Sequence, residues 1–153
     1  MNLEVFTELS TVQTQSHWVF AMLAFAIGLW ILLARKGTRK HVLLGRIWLF
    51  TMSVVSLSAL FVKNNEPGDL LHMAAGFSYI HLLIPFTLSM LYLGVRAIRA
   101  GNVIAHRYFM ISTFVGSLVL AGAFTFLPGR HMHTLFFADE RAVQEQVEAG
   151  IKK

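Results

Sequence analysis

The chain has 153 residues, enough for one domain, of which 56% are hydrophobic and only 14% charged, with a formal net charge of +5. A soluble domain of this size carries about 25% charged residues, so this is the composition of a membrane protein; because the basic residues flank apolar runs, the pI near 10.0 does not indicate a nucleic-acid binder. The absence of cysteine excludes disulfides, thiolate metal sites, iron–sulfur clusters and covalently attached haem, and leaves seven histidines and seven methionines as candidate ligands.

Residues 1–16 are polar and acidic and lack the basic region of a signal peptide, so the first apolar segment is expected to be retained. A bilayer-spanning helix needs about 20 mostly apolar residues. Four segments approach or meet that length: about 18–34, 42–62, 70–95 and 108–127. The third is long enough to be tilted, and Pro85 is expected to bend it. Pro128-Gly129 stops the fourth. The short connections predict antiparallel neighbours.

Charge orients these spans. The first connection and its extension hold Arg35, Lys36, Arg39, Lys40 and Arg46, and the third holds Arg96, Arg99 and Arg107, with no acid in either. Every Asp and Glu falls in the remaining segments. By the positive-inside rule the two basic connections are cytoplasmic. The fold expected is all-α: an integral membrane up-down four-helix bundle over residues 17–130, multi-pass in a bacterial cytoplasmic (inner) membrane, with both termini on the outer, periplasmic side. Residues 131–153 form an outer tail with a short amphipathic stretch, about Asp139–Ala149. That stretch lies on the surface, docks on a partner or is a frayed end.

The histidines take positions on this frame. His17 and His72 begin the first and third spans on the outer side; His41 and His106 begin the second and fourth on the inner side. Each pair sits at one depth on diagonal helices. Two imidazoles facing each other across a bundle can ligate a haem iron from both faces, so haem b is the cofactor expected. One turn along from His17, His41 and His72 lie Ala21, Gly45 and Gly76, which leave room for a macrocycle, whereas His106 is followed by Met110. Arg46, Arg107 and Lys40 can neutralise propionates. Two stacked haems would make a transmembrane electron path. His81 lies nine residues past His72, about 13 Å deeper in the span. Beside the carbonyl freed by Pro85, it is either a quinone or proton contact or a packing hydrogen bond.

A second candidate site is His131-Met132-His133, joined by His72 and His17 if the helix ends converge. Imidazole with thioether suits copper, and imidazole alone suits zinc or copper. Both site readings compete with plain alternatives, in which histidines meet headgroups and small residues mark helix contacts. No Asp or Glu lies within a span, and no phosphate-binding or dinucleotide motif appears. The competing function is a non-catalytic subunit or assembly factor of a larger membrane complex, or a homo-oligomer, in contact with the lipid bilayer and no nucleic acid.

Several motifs carry a resemblance covering about His17 to Phe137. They are RKGTRKHVLLGRIW followed by Met52, FSYIHLLIPFTLSML, RAIRAGNVIAHRYFM and FLPGRHMHTLFF. With these the chain resembles a family of predicted bacterial membrane proteins known as a domain of unknown function. The resemblance implies a four-helix integral membrane protein. It matches His41, Gly45, Arg46, His81, His106 and Arg107 to recurring motif positions, and it supplies no activity.

Overall fold

The computed structural model describes residues 11–62 and 79–126, and all the regular structure in them is helical. Helix α1 is Val12–Leu33. Helix α2 is Arg39–Ser58, extended by a 3-10 turn at Ala59–Phe61. A 3-10 turn at Tyr79–Leu82 leads into α3, Leu83–Arg99. Helix α4 spans Val103–Phe124. It is α-helical to Thr113, π-helical over Phe114–Leu120 and α-helical again over Ala121–Phe124. Among the described residues, Val12–Leu33, Arg39–Phe61 and Val103–Phe124 are long and apolar enough to cross a membrane. The second half of the expected third span is present as α3; its first half lies outside the described residues.

The two basic connections are built alike. Gly37 and Gly101 adopt φ of 76° and 75°, a region that costs glycine little and other residues more. The next residue then caps the following helix. The Thr38 side chain accepts from the His41 amide, and the Asn102 side chain from the Ala105 amide. Helices α2 and α4 therefore start at Arg39 and Val103, three and five residues before the apolar runs alone suggest.

The expected bend at Pro85 takes another form. Proline has no amide to donate to the His81 carbonyl, and its ring crowds that carbonyl. The backbone accordingly stays 3-10 through Leu82 and becomes α-helical at Leu83, which leaves Pro85 in the first turn of α3, where a missing donor costs nothing.

Lipid is as apolar as leucine, so helices in a bilayer are held by close packing and interhelical hydrogen bonds. The chain uses both and packs as two antiparallel hairpins. In the α1–α2 hairpin, Trp48 Nε1 donates to the Ala24 carbonyl at 2.9 Å, and His17 meets Ser58 at 2.9 Å. In α3–α4, Thr87 bonds Ser117, and His106 bonds the Gly94 carbonyl. The hairpins join at a dry junction where Gly28 carries no side chain. A Cβ there would lie 2.6 Å from Trp48 Nε1 and 2.7 Å from the Phe114 ring. Phe114 also stacks on Phe25, with centroids 5.4 Å apart. Ala24, Trp48, Met52, Val55, Leu91, Phe114 and Leu118 form the buried cluster around this junction.

Candidate functional site

The C-terminal ends of α1 and α3 and the N-terminal ends of α2 and α4 meet at one end of the bundle. This end carries Arg35, Lys36, Arg39, Lys40, Arg46, Arg96, Arg99 and Arg107, and no acidic residue occurs in the described part of the chain.

Both inner histidines stand in or beside a first helical turn at this end, because each follows a capping residue. His41 is the third residue of α2 and His106 the fourth of α4. His106 Nδ1 lies 2.9 Å from the Gly94 carbonyl of α3. A carbonyl only accepts, so Nδ1 holds the proton and Nε2 keeps a bare lone pair. Pinning one ring nitrogen on a backbone carbonyl in this way is how proteins orient a histidine whose other nitrogen binds a metal. Across the bundle, His41 Nδ1 is buried and has no hydrogen-bond partner. The two rings stand at the same end of the bundle, each near the start of its helix. They sit on α2 and α4, while the main helix contacts run α1–α2, α3–α4, α2–α3 and α1–α4. The inner pair therefore lies on a diagonal of the bundle.

The space beside the pair is unequal. A Cβ added at Gly45, one turn after His41, would meet nothing within 4 Å. On the other side, the Met110 methyl fills the notch over Gly94, one turn after His106. A planar ligand has room against His41 and must displace a flexible thioether to reach His106. Arg46 and Arg107 are exposed and project from this end.

The opposite end is arranged differently. His17 lies six residues into α1. The Ser58 hydroxyl gives its proton to the Val55 carbonyl at 3.0 Å, so it accepts from His17 Nδ1. The His81 ring sits in the 3-10 turn before α3, with Nε2 3.2 Å from the Val62 carbonyl, at the same end of the bundle as His17. The expected partner, His72, lies outside the described residues, as do His131, Met132 and His133. Among the described residues no group of three His, Cys, Asp or Glu side chains converges as a metal site.

The polar groups that sequence reading missed are backbone and hydroxyl: the Gly94 carbonyl under His106, and the Thr87–Ser117 contact that fixes α3 on α4. The serines and threonines were readable only as general interhelical donors. The capping signals, Gly37-Thr38 and Gly101-Asn102, were present in the sequence and would have moved both histidines into the first turns.

A family model described as a predicted membrane protein (DUF2306) matches residues 14–143 of the chain. No curated protein and no solved structure matches it.

Proposed function

The chain belongs to the DUF2306 family of predicted membrane proteins, and we propose that it is a b-type haem protein of the bacterial cytoplasmic membrane, in which His41 and His106 would hold the haem iron. The observation that carries this reading is the His106 ring: its Nδ1 proton is held by the Gly94 carbonyl, and the nitrogen left over stands at the same end of the bundle as His41, which itself has an unpartnered buried nitrogen. The open space at Gly45 supports it. So does the cluster of cations at this end, where Arg46 and Arg107 can neutralise propionates. The same cations, by the positive-inside rule, favour a cytoplasmic position for this end, with α3 as a fourth span. Bound there, haem would supply one-electron chemistry. The chain's part is to hold two imidazoles on a diagonal and fix the His106 tautomer.

The test is optical. The full chain, purified in detergent and supplied with haemin, is expected to give a Soret band and sharp reduced α and β bands. His41→Ala and His106→Ala should each abolish them, while His17→Ala and His81→Ala keep them. A folded chain that stays colourless, or bands that survive both inner substitutions, would refute the assignment.

A further inference from the structure

The connection between α1 and α2 holds a second feature, a hollow whose lining includes His41. A cavity of about 460 Å³ opens there. Trp30, Ile31 and Leu44 form apolar wall, and Arg35, Arg39 and Lys40, all exposed, supply its cations. His106 does not line it.

These three cations are in an uncomfortable place. Arg39 and Lys40 occupy the first turn of α2, where the helix dipole is already positive and a cation is disfavoured. No carboxylate exists in the described residues to offset them, and none of the three side chains is hydrogen-bonded to a described residue, although the Arg35 carbonyl accepts from the Thr38 hydroxyl. Lys36, in the same connection, behaves otherwise: its ammonium donates to the Ile31, Leu32 and Ala34 carbonyls at 2.6, 2.6 and 2.9 Å and so closes the end of α1. One basic residue of this connection is thus consumed by the fold, and three are held around a hollow.

The wall of the hollow identifies the occupant. It is mostly hydrocarbon, and Trp30 is 65% exposed at the depth where tryptophans mark the membrane interface. A small free anion would use the cations and leave the wall empty. A ligand with a phosphate head and an apolar tail uses both, and two guanidiniums suit a phosphate's paired oxygens. We infer that this groove is a binding site for the headgroup of an anionic phospholipid of the phosphatidylglycerol type, with its upper acyl chain lying against Trp30 and Leu44. The site does not depend on the haem reading, and its test is run on cofactor-free protein.

The full chain in neutral detergent is titrated with phosphatidylglycerol, phosphatidylcholine or inorganic phosphate, and the melting midpoint is followed. Phosphatidylglycerol should bind more tightly than phosphatidylcholine by about ten-fold or more, because each nearby cation contributes roughly a five-fold preference. The double variant Arg35→Gln with Arg39→Gln should lose most of that preference. Arg96→Gln with Arg99→Gln removes the same charge from the same end, outside the groove, and should leave it within about two-fold. Equal binding of the two lipids overturns the inference. An equal loss in both double variants also overturns it, since diffuse charge would then suffice. Inorganic phosphate matching phosphatidylglycerol would replace the lipid with a free-anion site.

Discussion

The two ends of the bundle use histidine for different purposes. Away from the basic connections, both imidazoles converge on the C-terminal end of α2: His17 reaches it from α1 through Ser58, and His81 from the start of α3 through the Val62 carbonyl. They fasten one helix end to its neighbours. At the basic end only His106 is fastened, and His41 retains a buried ring nitrogen without a partner. His17, His41 and His106 stand near the ends of apolar runs, and His81 lies within one. His106 and His81 are each held on a backbone carbonyl, so what separates the two ends is the buried His41 nitrogen that bonds nothing.

That contrast is broken most directly by the optical experiment, where the expected effect is all-or-none: inner substitutions bleach the protein and outer ones do not. The next effect in size concerns how His106 is held. Gly94→Ala drives a methyl into the end of the flexible Met110 side chain, which can partly swing aside, so it should cost about 1 kcal/mol in detergent unfolding, the low end for overpacking. Adding Met110→Ala should recover much of that loss by reopening the notch. If Gly94→Ala is neutral and Met110→Ala compensates nothing, the tight α3–α4 seam beneath His106 is wrong.

A smaller effect compares the ends on stability alone, using cofactor-free protein. His17→Ala removes an interhelical hydrogen bond, and such bonds are worth about 0.6 kcal/mol in a membrane protein. His41→Leu removes a buried nitrogen that bonds nothing, so it should be neutral or stabilising by up to about 1 kcal/mol. Equal losses from the two substitutions would mean that His41 is a structural tie after all.

Much of this arrangement was legible in the sequence. The apolar runs marked the membrane helices, and the one-sided charge brought His41 and His106 to one depth before any coordinates. What stayed hidden has particular causes. The junction of Gly28, Trp48 and Phe114 could not be read, because α1 is apolar on all sides and its periodicity does not say which face meets a partner. The pin on His106 is a backbone carbonyl, which any residue possesses, so Gly94 gave no side-chain signal. The 3-10 turn that carries His81 also went unread, because it follows from the missing amide of Pro85, which delays the α-helical geometry to Leu83.

The smallest prediction separates residues within the basic connection itself. Lys36 closes the last turn of α1 much as His81 closes the end of α2, by meeting carbonyls that the helix leaves unpaired. It is exposed, so the contribution is modest. Lys36→Met should lower stability by about 0.5 kcal/mol at low ionic strength and by less in salt. Its charge lies two residues from Thr38 and within the same run as Arg35 and Arg39. A purely electrostatic attraction to anionic lipid would therefore weaken on its loss as it does on theirs. A bound headgroup would not respond in the same way, since the Lys36 ammonium is turned onto α1 and does not line the groove. Lys36→Met should accordingly shift the melting midpoint while leaving the preference for phosphatidylglycerol nearly unchanged. The reverse pattern, an unchanged midpoint with a lost preference, would show that the ammonium serves the lipid and not the helix end.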